Sequence, residues 1–156
     1  MSYMFNVRVY GILLNDRNEV LISDERTENV SFTKFPGGGL EYGEGLIEAL
    51  QREFEEECGF DIEIVRHIYT TDFYEKSSFN NTQIISIYYQ VETQASLEEL
   101  SLKTIPFDFS EPELQKSDIK EQSFRLVPFH QLSEENFTFR TDKVAWREFV
   151  KQYEEK

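Results

Sequence analysis

The sequence predicts an α+β fold in a single domain, and three observations carry that expectation. Several segments are rich in β-branched and aromatic residues, as strands are. Two other segments place apolar residues at helical spacing. The chain, 156 residues with 39% hydrophobic and 15% aromatic content, has the size and composition to bury one core.

The elements follow in order. Residues 6–14, "NVRVYGILL", read as a buried strand, "NDRN" at 15–18 as a turn, and "EVLISDE" at 19–25 as the returning strand. "FTKF" adds a short strand before Pro36 and three consecutive glycines, which interrupt regular structure. From Gly45 to Cys58 the residues Leu46, Ile47, Leu50, Phe54 and Cys58 recur at helical spacing, and Gly59 supplies the left-handed stop expected just beyond a helix. "FDIEIVRHIYTTDFYE" and "TQIISIYYQVET" read as two longer strands separated by the polar loop "KSSFNN". Residues 95–122 form an acidic connection with little periodicity, of a length often used for a lid, a binding loop or a docking segment. "SFRLVPFHQL" at 123–132 reads as a late strand leading into a turn. Residues 141–155 read as a helix capped by Thr141, packing through Ala145, Trp146, Phe149, Val150 and Tyr153.

A formal charge of −14 disfavours general affinity for nucleic-acid polymers or an anionic membrane. It leaves small nucleotides open, because a bound divalent cation reverses the local sign. The start of the chain shows no secretory pattern, no stretch is apolar enough to span a bilayer, and the single cysteine, Cys58, cannot form an internal disulfide. A cytoplasmic location is the expectation.

The chemistry concentrates between Glu41 and Glu57, which hold seven glutamates and one arginine. Clustered like charges weaken a helix, so their presence asks for a compensating ligand. Helical spacing puts Glu53, Glu56 and Glu57 on one stripe beside the apolar face, with Glu48 and Glu55 turned toward water. Such carboxylates suit a hard cation, Mg²⁺ or alternatively Mn²⁺; a merely solvated acidic face is the plain alternative.

Gly38, Glu44, Arg52, Glu53, Glu56, Glu57 and Gly59 together resemble the signature of the Nudix hydrolases, with Phe54 and Phe60 at its two aliphatic positions. The resemblance implies a Nudix fold: a mixed β-sheet sandwiched by helices, with the signature as loop–helix–loop. It implies metal-dependent hydrolysis of a phosphoanhydride bond in a nucleoside-diphosphate-linked substrate, and it allows a homodimer. Glu53, Glu56 and Glu57 are then the metal ligands, Glu53 being a ligand or the general base. Arg52 orients a neighbouring carboxylate, and the Gly38 carbonyl joins the ligand set. Glu44 caps the helix or reaches the metal through water. A further carboxylate is expected before a late strand, with Glu121 the first choice and Asp118 the second. Arg8, Arg26, Gly37 and Gly38 are the candidates for substrate contact. Tyr74, Phe79, Tyr88 and Phe107 either stack a base or fill the core. His67 and His130 lack metal-ligand spacing, and Cys58 reads as packing.

No proline occurs between Pro36 and Pro106, and the extended marker of the NADH-acting branch is missing after Gly59. Both absences tilt the expected substrate toward a nucleoside triphosphate, including oxidised ones, or another small nucleoside-diphosphate compound. The rival class is a nucleotide- or nucleotide-sugar-sensing module without turnover; retention of every signature carboxylate speaks against it.

Overall fold

The computed structural model describes residues 4–28, 30–109 and 121–154. Among the described residues, seven strands form two sheets flanked by two α-helices. The strands are β1 (Phe5–Leu13), β2 (Glu19–Arg26), β3 (Ser31–Lys34), β4 (Gly37–Gly39), β5 (Glu63–Thr70), β6 (Gln83–Glu92) and β7 (Glu121–Pro128). The helices are α1 (Leu46–Cys58) and α2 (Arg140–Glu154).

The mixed sheet expected between helices is present, and a second sheet stands beside it. One sheet runs β4-β1-β6-β5 and is mixed, because β1 lies parallel to β6 while its other neighbour is antiparallel. The second, β3-β2-β7, is antiparallel throughout. Residues 5 to 13 of β1 pair in register with residues 83 to 91 of β6, setting Arg8 beside Ser86 and Tyr10 beside Tyr88.

Both faces of this assembly are covered. On one side α1 packs Ala49, Leu50 and Phe54 against Val9, Leu13 and Val91. Gly11 is required there, since a methyl group at that position would stand 2.7 Å from the Phe54 ring. On the other side α2 packs Ala145, Trp146 and Phe149 against Tyr10, Ile12 and Tyr88. Burial of this kind supplies about 25 cal/mol per Å² of apolar surface removed from water. Asp24 is fully buried inside the second sheet, and its charge is met by Arg125 at 2.6 and 3.0 Å and by the Thr33 hydroxyl at 2.7 Å.

Local chemistry explains the ends of α1. The Glu48 carboxylate reaches back to accept the Gly45 N–H at 2.7 Å, so this glutamate stabilises the helix start instead of only facing water. Gly59, at φ 80°, ends the helix in the left-handed region, its N–H meeting the carbonyls of Phe54 and Glu55. Ile47 is exposed, and Cys58 packs partly buried with the α1 core. Thr141, expected as a cap, lies inside α2 and is buried. The acidic connection has structure of its own: Leu97–Leu100 form a 3₁₀ turn, and the Lys103 N–H donates to the Phe124 carbonyl at 2.9 Å. No helix among the described residues is long and apolar enough to cross a membrane.

Candidate active site

The glycine strand β4 lies between β1 and α1, and Arg52 fastens it there. Its guanidinium donates to both oxygens of Glu44, at 3.0 and 2.6 Å, and to the Gly39 carbonyl at 3.0 Å. It also reaches Glu53 at 3.1 Å and Glu56 at 3.3 Å. One planar fork thereby joins loop, strand and helix, a geometry lysine cannot supply. Glu44 accepts the Glu41 N–H as well, so its role is to hold Arg52 and the loop rather than to cap α1.

A cavity of about 360 Å³ opens against this corner. Glu53 and Glu57 line it from α1, Gly37, Gly38 and Gly39 from β4, Arg8 and Tyr10 from β1, Glu25 from β2 and Lys34 from β3. Burial raises the Glu53 pKa above the usual carboxylate range, and the nearby Glu57 charge raises it further against the pull of Arg52. Glu56 stands apart, 58% exposed at its side chain and held by Arg52. The helical turn explains this: at 100° per residue, Glu56 and Glu57 fall on opposite sides of Glu53. Only the i and i+4 pair faces the cavity.

Among the described residues, no three acidic, histidine or cysteine side chains are gathered closely enough to ligate one ion. The donor chemistry nonetheless fits a hard divalent cation. Glu53 and Glu57 share the cavity wall, the Glu57 charge helps raise the Glu53 pKa, and Glu56 precedes Glu57 on the helix. A cation among them would convert that repulsion into attraction. The flanking ladder bonds, Gly11 N–H to the Pro36 carbonyl and Leu40 N–H to the Val7 carbonyl, set an alternation that commits Gly38's carbonyl to Val9. The carbonyls of Gly37 and Gly39 point the other way, toward Lys34 and Arg52.

Arg8 crosses the cavity wall with its Nε donating to the Tyr10 hydroxyl at 2.6 Å. Its terminal nitrogens form no hydrogen bond among the described residues, which leaves them free for an anion. Phe32, Phe79 and Phe139 meet with centroids 5.3–6.1 Å apart and give the cavity an apolar wall. Asp142, at the start of α2, is 2% exposed and accepts the Tyr88 hydroxyl at 2.7 Å. Burial drives its pKa up to about 7 despite the opposing Tyr88, Lys34 and Arg8.

Two of the expected residues are elsewhere. Arg26 and Glu121 face each other across β2 and β7, form an ion pair, and do not line the cavity. Arg26 lies over the Phe109 ring at 4.9 Å. Strand alternation is the reason: it turns Gln122, the next residue, inward. Gln122 Nε2 lies 3.1 Å from Glu57, 3.1 Å from Glu25 and 3.0 Å from Ser23. Asp118 lies outside the described residues. Of the four aromatics considered from sequence, Phe79 lines the cavity, Tyr88 is core, and Tyr74 and Phe107 are exposed. Glu25, Lys34 and Gln122 escaped the sequence reading because none belongs to a spaced motif. The alternation of β2 and β7, followed from a known register, would have been the signal.

The fold and its acid-lined cleft define a class of hydrolase built on a loop–helix–loop. A family model described as the NUDIX domain matches residues 4–147, and the chain belongs to that family. The fold is shared with the solution structure of the E. coli ORF135 protein, at TM-score 0.66 and 17% identity, covering 97% of this chain and 92% of that one. A MutT protein from Methanosarcina mazei Go1 matches at TM-score 0.66 and 16% identity, with 98% of each chain covered. A NUDIX hydrolase from Nitrosomonas europaea matches at 0.66 and 16%, covering 94% and 89%. The chain is thus a Nudix hydrolase, of a family that cleaves pyrophosphate bonds in nucleotide-like substrates and generally uses divalent metal ions.

Proposed function

We propose that this chain hydrolyses a phosphoanhydride bond of a nucleoside triphosphate or a similar nucleoside-diphosphate-linked compound, with Mg²⁺ or Mn²⁺ as its ion. The observation that carries the reading is the pairing of Glu53 and Glu57 on the wall that Arg8 also lines, with the aromatic cluster lining the same cavity. Its volume, about 360 Å³, is at the small-molecule end of ligand sites, roughly 300–1,000 Å³. A nucleotide suits it better than a polymer.

Glu53 and Glu57 would hold the ion from the cavity wall, and Glu56 would join them only by swinging away from its contact with Arg52. When bound, the ion neutralises phosphate charge and makes water a better nucleophile near neutral pH. Arg8 binds the non-bridging phosphate oxygens through its terminal nitrogens. Glu53 serves as a ligand of the ion or, in its place, as the general base that takes the proton the attacking water gives up. Arg52 keeps Glu53 and Glu56 oriented while touching no substrate. Phe32, Phe79 and Phe139 offer the base an apolar, stackable wall.

The test is a metal-supplemented screen of nucleoside triphosphates, nucleotide sugars, dinucleoside polyphosphates and NADH, read by phosphate or pyrophosphate release. Turnover is expected on at least one compound, abolished by EDTA and reduced at least about a hundredfold by Glu57→Gln. Tight binding without turnover would move the protein to the sensing class. Equal activity of wild type and Glu57→Gln across the panel would overturn the proposal.

A further inference from the structure

Lys34 raises a question that the reaction leaves unanswered: why a cation is buried in the wall of an acid-lined cavity. It ends β3 with 6% exposure. Its ammonium has three donors, and three oxygens surround it: Glu25 at 3.0 Å and the carbonyls of Phe35 and Gly37 at 3.2 and 3.4 Å. Burial opposes its charge, but Glu25, Glu57 and Tyr10 outweigh that and hold its pKa above the ordinary lysine value. Lys34 and Glu25 form a buried ion pair in the cavity wall.

The charge is tied to the metal end. Gln122 Nε2 links Glu25 to Glu57 at 3.1 Å each. Glu25, Glu53 and Glu57 all line the cavity that Lys34 lines. Loss of Lys34 alone would take from the Glu25 carboxylate its ion-pair partner at 3.0 Å while the hydrogen bonds from Ser23 and Gln122 stay. With three donors already committed, the ammonium has no hydrogen bond to spare for a substrate. Its reach is electrostatic and positional.

We infer that Lys34 is a tethered counter-ion: fixed by Glu25, it balances the cavity carboxylates and pins the Gly37 carbonyl, and so moderates how tightly a divalent ion binds. This rests on the metal-site reading above. A lysine that merely filled space would, on removal, loosen the site and weaken metal binding. A counter-ion has the opposite signature, because its loss leaves the site more negative.

The experiment is a Mn²⁺ titration of the protein alone, without nucleotide, followed by electron paramagnetic resonance, with urea unfolding to establish folding. Lys34→Met is expected to tighten Mn²⁺ binding about tenfold, by removal of one unit charge at close range. Lys34→Arg keeps the charge and is expected to stay within about twofold of wild type. Should Lys34→Met fail to fold, the double variant Glu25→Gln with Lys34→Met removes both charges together and is expected to bind as wild type does. Unchanged or weaker binding by folded Lys34→Met overturns the inference, as does a tenfold loss in the double variant. Absence of Mn²⁺ binding in wild type sinks the metal-site reading and this inference with it; a wild type that binds beside an unresponsive Lys34→Met sinks this inference alone.

Discussion

Gly38 and Glu53 touch with no space between them: a methyl group on Gly38 would stand 2.5 Å from the Glu53 carboxyl carbon. The glycine is a steric requirement of the acid. Gly38→Ala must displace the Glu53 side chain or the strand, and Glu53 is held by Arg52. Activity is expected to fall on the order of a hundredfold, since misplacement of about 1 Å costs that much. Thermal unfolding should change little by comparison. Turnover equal to wild type would show that Glu53 needs no fixed position.

Arg52→Lys tests the fork. Lysine keeps the charge but cannot serve both oxygens of Glu44 and the Gly39 carbonyl together with Glu53. About a 10- to 100-fold loss of turnover or metal affinity is expected, as for other partners of ligating groups. Steady-state kinetics beside a metal titration will separate the two.

Phe79→Ala addresses the apolar wall. Phe79 is 53% exposed, so its removal should leave stability nearly intact. Base stacking on an aromatic ring is worth about 1–3 kcal/mol. KM for the best nucleotide of the panel is expected to rise about tenfold with kcat little changed. A kcat loss at constant KM would place Phe79 in the reaction itself.

Asp142 predicts a pH dependence of stability. Its pKa rises from the ordinary 3.8 to about 7 in the fold. Between those values the folded chain retains a proton that the unfolded chain has lost, so stability falls as pH climbs through that window. The effect is on the order of a few kcal/mol. Urea midpoints of wild type and Asp142→Asn, compared from pH 4 to 8, should converge on different slopes, with the variant flatter. Parallel curves would mean that the acid ionises freely in the fold.

The helices are the part of this protein that the residues announce most clearly. The apolar period from Leu46 to Phe54 and the glycine at 59 define α1, and Ala145, Trp146 and Phe149 define the buried face of α2. Both signals are local, set by the turn of the chain itself. The strand segments are equally legible, but their partners are not. Nothing in "NVRVYGILL" states that it will lie parallel to a strand some eighty residues away, because register is a tertiary property. The same limit governs the site. Arg52, Glu53 and Glu57 declare themselves by spacing on one helix, whereas Arg26 and Glu121 differ from Glu25 and Gln122 only by which side of a strand they occupy. A shift of one residue along a strand exchanges inside for outside.

The cavity is assembled from two groups of elements joined through β3, which gives it both Phe32 and Lys34. Its acidic corner belongs to α1 and the glycine strand, riveted by a single arginine; its aromatic corner belongs to β3, the segment after β5 and the entry to α2. Phe79, on the segment after β5, is the ring whose variation would change the fit of a ligand with least disturbance of the acidic corner, whereas Phe32 sits directly across from Glu25. A lineage built on this plan is free to change its diet while its tooth stays the same.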